Sequence, residues 1–394
     1  MDNLTHSLLG LTLARTPLRR VGPGATTALL LASNAPDIDI VVAATGGASR
    51  YLSLHRGPTH GPLGLVILSF GAAAIAWGIA TRRPPFRRGD RPARLMPLWA
   101  VSIVGVCFHV LMDLPTSYGT RWLSPWSWTW FTLDWMPIVD VYLLAILAGG
   151  LVAPWLSRDR AIESARTADA RRGRFAASAL ALAVVLYGIR GAAHHSALEA
   201  VAPPSVLASE WCADAAGPGT PLDRWPERVL PHAPRRELAA RASRAGFSSD
   251  CATELVAIPD FLSPFRWRVI ARSRGEYRAA DLNLAAAPWA LFDAWRESGR
   301  RLVHESGVTR VPNDWNSIVR TAAAAPSAQT FLGFSRLPAV QLSVEPDGSA
   351  VVRWVDLRFF RDMDDVQDAV RKSLFGATVV IDGSGHVVRH ELGP

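Results

Sequence analysis

The feature that most constrains the fold is an uncharged apolar run at residues 62–80, which is 19 residues long. A helix needs about 20 apolar residues to cross the hydrocarbon core of a bilayer, so this run predicts a transmembrane helix. Further apolar runs lie at 4–14, 25–45, 97–112, 136–156 and 175–193. The first of these is marginal for a crossing, and polar residues at 34–39 interrupt the second. We therefore predict an α-helical membrane bundle of about five or six membrane segments.

Arginines between the apolar runs predict the orientation of this bundle. Six arginines and one aspartate lie at 82–94, and six arginines and three acidic residues lie at 157–174. Arg15, Arg19 and Arg20 follow the first run. Cytoplasmic loops of membrane proteins carry an excess of basic residues, so all three segments are expected in the cytoplasm. The N-terminus, the loops at 46–61 and 114–135, and the chain after residue 194 are then outside. The first residues carry no basic region, and we predict no cleavable signal peptide.

Charge and cysteine content limit the classes of partner. The formal net charge is +8, and Lys372 is the only lysine. A basic chain can bind nucleic acid, but these arginines lie in short loops between apolar runs, which favours membrane topology and predicts no nucleic-acid partner. Cys107, Cys212 and Cys251 have no neighbour at zinc-finger spacing, which argues against a thiolate metal site. An outer compartment permits a Cys212–Cys251 disulfide, and the sequence leaves that pairing open.

The composition changes near residue 195, where the apolar runs end. Strand-like stretches occur beyond it at 266–270, 350–355 and 377–381, and a hairpin-turn sequence lies at 382–385. Helical stretches are expected at 235–246, 287–303 and 362–374. We predict two domains, a helical membrane domain at 1–194 with a metal site and a soluble extracytoplasmic α+β domain at 195–394.

Histidine and aspartate residues gather near the predicted outer ends of the membrane segments. His55 and His60 flank Arg56, Gly57 and Pro58, immediately before the run at 62–80. His109 and Asp113 are four residues apart, so they share one face of a helix. His6 lies at the start of the first run, and Asp37 and Asp39 flank Ile38 within the second. Ionisable residues in membrane segments are costly and are usually functional.

Each of these residues also has an ordinary structural explanation. His109 and Asp113 can be a polar pair inside a bundle, and His6 can be an interfacial histidine. Asp37 and Asp39 can form a turn that caps a helix, and a surface loop can hold His55 and His60. The whole set together favours a metal site, because imidazole and carboxylate ligands suit zinc first, and also manganese or iron. More than four candidate ligands predict two or three ions.

Several motifs, in this order, resemble the YdjM-like family of bacterial inner-membrane proteins, which are predicted metal-dependent hydrolases. They are residues 1–6 (MDNLTH), 36–39 (PDID), 55–60 (HRGPTH), 109–113 (HVLMD), 116–120 (TSYGT) and 133–135 (LDW) followed by Asp140. The resemblance covers about 1–190 and implies a multi-pass protein of the inner membrane. It carries over seven positions as metal ligands: His6, Asp37, Asp39, His55, His60, His109 and Asp113. Pro58 departs from the family pattern, which has an aromatic or aliphatic residue there. The order of ligands is also similar to the zinc-dependent phospholipase C and nuclease superfamily, although the intervals differ.

The first functional hypothesis is a membrane hydrolase in which a metal-activated water attacks an ester bond at the outer surface. Asp37 or Asp39 would act as general base or bridging ligand, and Arg56 would bind a phosphate or another anion. Tryptophans at 122–135 predict contact with membrane lipids, as an interfacial belt or as a platform for substrate. That location suits an amphipathic or lipid-linked ester, either a phosphoester or another lipid ester.

The second hypothesis is a non-enzymatic membrane protein that binds or transports a metal ion or a proton. Polar groups across the full bilayer would favour transport, whereas ligands at one surface favour hydrolysis. A structural envelope protein is a third hypothesis.

Overall fold

A computed structural model describes residues 1–82, 92–157, 164–201, 254–273, 275–286, 309–360 and 375–393. The chain forms two compact units. The first comprises Met1–Asp39, Arg56–Ala192 and Phe261–Pro264, and the second comprises Ile40–His55, Ala193–Asp260 and Phe265–Pro394. The segment at 40–55 therefore groups with the C-terminal part of the chain, and the predicted boundary between residues 194 and 195 stays a prediction.

The first unit is helical. Its helices are α1 (Asn3–Leu13), α2 (Ala25–Ala32), α4 (Pro62–Arg82), α5 (Leu95–Asp113), α6 (Val141–Leu156) and most of α7 (Ala165–Val201), while α3 (Val41–Leu54) belongs to the second unit. Asp2 caps α1 by accepting a hydrogen bond from the Thr5 amide at 3.0 Å. Short 3₁₀ helices come after α1 and α2, at Pro17–Val21 and Ala35–Ile40. The second of these breaks the apolar run at 25–45, as its polar residues predicted.

Small residues bring α2 and α5 close together. A Cβ atom added at Gly105 would lie 2.8 Å from the Cβ of Ala32, so only glycine fits at this crossing. Apolar helices in lipid gain little from hydrophobic burial against each other, and close packing of small residues is what stabilises such contacts. This crossing fixes α5 relative to α2, and α5 carries two of the candidate ligands.

Three helices of the described chain are long and apolar enough to cross a membrane, namely Pro62–Arg82, Leu95–Asp113 and Arg166–Leu198. The shorter apolar helix α6 has 16 residues and contains Pro154. With 11 and 8 residues, α1 and α2 are too short for a straight crossing. The predicted helical membrane region is confirmed, whereas the count of five or six segments stays a prediction.

The second unit contains two four-stranded antiparallel sheets. The first has the order β1-β2-β3-β4 and the second the order β5-β6-β7-β8. The strands are β1 (Glu254–Pro259), β2 (Arg266–Ser273), β3 (Glu276–Asn283), β4 (Thr309–Pro312), β5 (Pro338–Val344), β6 (Ala350–Asp356), β7 (Gly376–Ile381) and β8 (Val387–Leu392), with helices α8 (Ser317–Ala322) and α9 (Pro326–Phe334) before β5. The three predicted strands correspond to β2, β6 and β7, and the predicted turn at 382–385 joins β7 to β8.

Helices of the second unit cover its sheets. Phe331 and Trp354 are fully buried in one core between α9 and the sheet β5-β6-β7-β8. Residues at the end of α7, including Ala193 and Ala197, pack with Trp267 in another core. These contacts confirm a C-terminal α+β domain. The helices predicted at 235–246, 287–303 and 362–374, together with Cys212 and Cys251, lie outside the described residues.

A buried carboxylate organises the end of β6. Asp356 accepts hydrogen bonds from Ser335 Oγ at 2.8 Å, the Arg336 amide at 3.0 Å and Arg358 Nη2 at 2.7 Å. Burial raises the pKa of Asp356, but the Arg358 charge and these hydrogen bonds outweigh it and hold the pKa below its usual value near 4. Breaking such a buried pair leaves a charge without compensation.

We expect Asp356→Asn to lower the free energy of unfolding of this domain by about 3 kcal/mol at pH 7. Because the folded pKa is depressed, the carboxylate's contribution is complete above about pH 4 and is lost as the pH falls through the folded pKa. Hydrogen exchange of β6 in the full-length protein, measured from pH 7 to pH 3, reports both effects. The exposed Asp314→Asn is the matched control, and equal exchange in the two variants would contradict the prediction.

Candidate metal centre

Four buried side chains converge in the first unit from three places in the chain. Asp37 comes from the 3₁₀ helix after α2, His60 from the loop before α4, and His109 and Asp113 from the last turns of α5. One ligand atom from each of the four lies within 4.8 Å of the others. Nitrogen and carboxylate oxygen donors at this spacing are the ligand set of zinc, manganese or iron sites.

The backbone directly after α2 orients the histidine of the pair on α5. His109 Nε2 lies 3.4 Å from Asp113 Oδ2, as the four-residue spacing predicted. His109 Nδ1 lies 2.8 Å from the carbonyl oxygen of Ser33 and therefore donates its proton there. This hydrogen bond assigns the tautomer, and it leaves the lone pair of Nε2 directed into the cluster. The imidazole is thus set to accept a proton or a cation.

His60 faces His109 across the cluster. The two Nε2 atoms are 3.2 Å apart, and His60 Nε2 also lies 3.3 Å from Asp113 Oδ2 and 3.8 Å from Asp37 Oδ1. Thr59 Oγ1 lies 3.0 Å from His60 Nδ1 and can accept its proton. With both Nδ1 atoms protonated, two lone pairs and two carboxylates point at one small volume. A shared cation satisfies that arrangement without protonating either imidazole.

His6 adjoins this cluster on the α1 side. Its ring stacks on His109 with centroids 3.8 Å apart, and its Nε2 lies 3.4 Å from Asp113 Oδ1. Within the described residues neither nitrogen of His6 makes a hydrogen bond, although the ring is fully buried. The Met1 amino group also contacts Asp113 Oδ1. A buried imidazole without hydrogen bonds costs free energy, so His6 fits the role of a further ligand.

Asp39, also expected to be a ligand, holds the histidine loop. Its Oδ2 accepts a hydrogen bond from the Arg56 amide at 2.8 Å and lies 3.4 Å from Thr59 Oγ1. Arg56 has a φ of +51°, a left-handed conformation that non-glycine residues seldom adopt. The same oxygen is 3.9 Å from His60 Nδ1, on the side away from the cluster. Asp39 thus stabilises an unusual turn that positions His60.

Arg56 is buried beside the cluster. Its Nη2 lies 3.2 Å from Asp113 Oδ1, and its Nη1 donates to Thr116 Oγ1 at 3.1 Å and to the Gly119 carbonyl at 3.2 Å. Its guanidinium carbon lies 4.7 Å from the centre of the Tyr118 ring. We predicted no role for residues 116–120 from the sequence, although their place among the ordered family motifs could have indicated one. They orient the guanidinium of Arg56 toward Asp113.

His55 does not join these residues. It belongs to the second unit, where its ring stacks on Tyr51 at a centroid distance of 4.4 Å and its Nε2 lies 3.2 Å from the Tyr51 hydroxyl. The two residues are four apart at the end of α3, so helical geometry brings them together. The expected ligand role of His55 stays a prediction, and within the described residues His60 is the histidine of this loop that lies in the cluster.

The two aspartates of the 3₁₀ helix differ in their electrostatics. Burial raises the pKa of Asp37 to about 6, against the opposing effect of the Arg56 charge. Asp37 lies outside the three long apolar helices. Its Oδ2 is buried and makes no hydrogen bond to any described residue. Asp37 is therefore a carboxyl that can exchange a proton near neutral pH, whereas the hydrogen bonds of Asp39 to the Arg56 amide and the Thr59 hydroxyl support the loop.

The tryptophans at 122–135 fall into two groups. Trp130 is buried, and the Arg121 guanidinium lies 4.2 Å from its ring centre. Trp122, Trp126 and Trp128 are exposed, Trp126 most of all at 69%. Exposed tryptophans are typical of a membrane–water interface. The loop joins α5, whose last turn carries two candidate ligands, to α6.

Comparisons with known proteins bear on the helical part of the chain. The family model described as "YdjM inner membrane protein" matches residues 1–197. The uncharacterized protein YfhP of Bacillus subtilis (strain 168) is 28% identical over 151 residues, which are 36% of this chain and 43% of that protein. The chain thus spans less than half the length of this relative. No solved structure shows a significant match.

Proposed function

The chain belongs to the YdjM family of inner membrane proteins, and from this premise we propose that it is a metal-dependent hydrolase of the membrane. The observation that carries the proposal is the approach of two imidazole nitrogens to 3.2 Å, with the carboxylates of Asp37 and Asp113 beside them. Two buried lone pairs at that distance repel unless a proton or a cation lies between them.

His60, His109, Asp37 and Asp113 would hold the ion, most consistently zinc, with manganese or iron also suited to these donors. His6 would add a ligand for a second ion, and two or three ions are part of the proposal. A divalent cation bound there supplies Lewis-acid chemistry toward a water molecule and an ester oxygen. The surrounding side chains must then position the substrate and take up the proton.

Asp37 is the proposed proton acceptor. One of its oxygens faces the imidazoles, and its other oxygen makes no hydrogen bond within the described part of the chain. Asp39 is occupied by the Arg56 amide and the Thr59 hydroxyl, which favours Asp37 among the two expected bases. Arg56, held by Thr116 and Tyr118, would bring a fixed positive charge to an anionic ester and keep Asp113 oriented.

An ester in or beside the bilayer is the proposed substrate. The cluster lies at the first turn of α1 and the last turn of α5, and the exposed tryptophans come directly after α5 in the chain. We propose five or six membrane segments in the inner membrane, with the cluster and the C-terminal domain on the periplasmic side, on the strength of the arginine distribution. Membrane lipids and lipid-linked phosphoesters are then the accessible esters.

The alternative is a metal-binding or transport protein without hydrolytic activity. Transport would be supported by further metal-binding groups along the helices. Within the described residues, the cluster at one end of α5 is the one group of at least three histidine, cysteine or acidic side chains with metal-ligand spacing. That placement supports hydrolysis at one surface over passage through the membrane.

Hydrolysis of phosphoester and carboxylic ester lipids by the purified, zinc- or manganese-loaded full-length protein in liposomes tests the proposal. We expect Arg56→Lys to keep the bound metal but to lower the rate at least tenfold, because lysine lacks the planar fork that reaches both Thr116 and Asp113. Lipid phosphorus NMR and elemental analysis give the two readouts.

Arg94→Lys, an exposed change at the other end of α5, is the matched control and should leave the rate unchanged. A wild-type protein that retains metal but cleaves none of these esters would contradict the hydrolase proposal and support the binding alternative.

A further inference from the structure

A basic cavity lies at the end of α1 that is remote from the metal cluster. It has a volume of about 220 Å³ and is lined by Arg15, Arg171 and Arg172 together with Leu151, Pro154 and Trp155. His6 and Arg15 are nine residues apart on and just beyond α1, which at 1.5 Å per residue is about 14 Å along the helix axis. The cavity is therefore separate from the cluster, and a ligand bound in it is independent of the proposed hydrolysis.

Arginine supplies the charged side chains of this cavity lining among the described residues. The nearby acid, Asp169, pairs with Arg19 at 3.5 Å and with Arg172 at 3.3 Å. Arg171 donates to the neutral Ser157 hydroxyl at 3.4 Å. Partial burial and the charges of Arg172 and Arg19 lower the pKa of Arg15, and Asp169 only partly opposes this. Three arginines thus line one cavity, and among the described residues no acidic side chain belongs to its lining.

Leu151, Pro154 and Trp155 form an apolar part of the lining, and Trp155 also reaches the surface. Trp155 is 72% exposed and Leu156 is 70% exposed, at the end of the apolar helix α6. Exposed tryptophan beside a helix end is typical of the interface between lipid headgroups and acyl chains. A free inorganic anion would use the arginines alone, whereas a lipid would use the arginines and this apolar rim together.

We propose that this cavity binds the phosphate headgroup of an anionic phospholipid from the leaflet that the arginine-rich loops face. The arginines contact the phosphate, and Trp155 and Leu151 contact the glycerol and the first acyl carbons. Basic pockets between membrane helices are known to take anionic headgroups, and each basic residue near the surface contributes to the attraction. The volume suits a headgroup and is below the range of about 300 Å³ that drug-sized ligands need.

The test compares lipids on the detergent-purified, delipidated full-length protein. We expect phosphatidylglycerol to raise Tm in a saturable way, and phosphatidylcholine or inorganic phosphate at equal concentration to do so far less. The double variant Arg15→Gln/Arg171→Gln should bind phosphatidylglycerol roughly 30-fold more weakly, since two surface charges are lost. Arg174→Gln removes one charge three residues along α7, outside the cavity lining, and should bind as the wild type does.

Two results would overturn the proposal. One is an equal response of wild type and double variant to phosphatidylglycerol, which would place lipid binding elsewhere. The other is an equal Tm increase with inorganic phosphate, which would make the cavity a simple ion site. Circular dichroism checks the fold of each variant. If the double variant does not fold, Arg171→Gln alone carries the test, with an expected loss of at least fivefold and the same overturning results.

Discussion

Replacing either His60 or His109 by alanine is expected to remove the bound metal from the full-length protein. Each imidazole directs an Nε2 atom at the other and at Asp113, so deleting one ring removes a nitrogen donor and leaves a buried cavity. Loss of a side chain that only hydrogen-bonds to a metal ligand lowers metal affinity about 10- to 100-fold, and loss of a direct ligand lowers it more. We therefore expect affinity to fall at least ~100-fold.

Elemental analysis of detergent-purified protein, reconstituted with zinc, manganese or iron, measures this effect. Wild type should hold at least one ion per chain, and the two variants close to none. His195→Ala is the matched control, because His195 is an exposed histidine outside the cluster. His55→Ala adds a second comparison, since its ring stacks on Tyr51 in the other unit. A metal-free wild type, or full occupancy in both cluster variants, would remove the basis of the metal site.

The second large effect is expected at a buried ion pair between α6 and α7. Arg190 Nη2 lies 2.5 Å from Asp140 Oδ2, and both side chains are fully buried. Asp140 also caps α6, since its Oδ1 accepts a hydrogen bond from the Leu143 amide at 2.8 Å. Removing the guanidinium in Arg190→Met leaves a carboxylate buried among apolar helices, at a cost of about 3–5 kcal/mol in unfolding free energy.

Unfolding of the full-length protein in mixed detergent micelles, followed by circular dichroism, measures this loss. The double variant Asp140→Asn/Arg190→Met carries neither charge of this pair and should be more stable than Arg190→Met alone. The difference between the two variants separates the effect of the unpaired charge from the loss of packing. Asp169→Asn removes an exposed pair and should cost less than about 1 kcal/mol. If Arg190→Met and Asp169→Asn were equally stable, the pair would not hold the two helices.

The parts of the site that depend on local geometry were predictable from the sequence. The four-residue spacing of His109 and Asp113 predicted a shared helix face, because a helix repeats every 3.6 residues. The apolar runs at 62–80, 97–112 and 175–193 predicted long helices, because about 20 apolar residues are needed to cross a bilayer. The strands were found through their runs of β-branched and aromatic residues, and the last turn through its Asp-Gly sequence.

The parts of the site that depend on tertiary structure were not predictable from the sequence. His60 meets His109 across 49 residues of chain, and no spacing rule states which histidine of the 55–60 segment does so. The left-handed backbone conformation of Arg56 determines that His60 is this histidine, and an arginine in the sequence does not indicate such a conformation. The sequence does not distinguish Asp37 from Asp39. The geometry of the 3₁₀ helix gives them different roles, Asp37 in the cluster and Asp39 in support of the loop. The count of five or six membrane segments stays a prediction, because apolar runs do not show where a helix breaks.

The close contact between α2 and α5 at Gly105 affects the rate at which the proposed ion would enter and leave the cluster. Gly105 leaves no room for α5 to slide or turn against Ala32, so His109 and Asp113 form a fixed half of the site. His60, across the cluster, lies on a loop that is anchored by several hydrogen bonds, among them those from the Arg56 amide to Asp39 and from the Arg121 amide to the Arg56 carbonyl oxygen. Because the cluster is buried, we expect the proposed ion to exchange through transient opening of that loop. The residence time of the proposed ion would then depend on the dynamics of this backbone segment. Two homologues with identical ligands can therefore differ widely in that residence time.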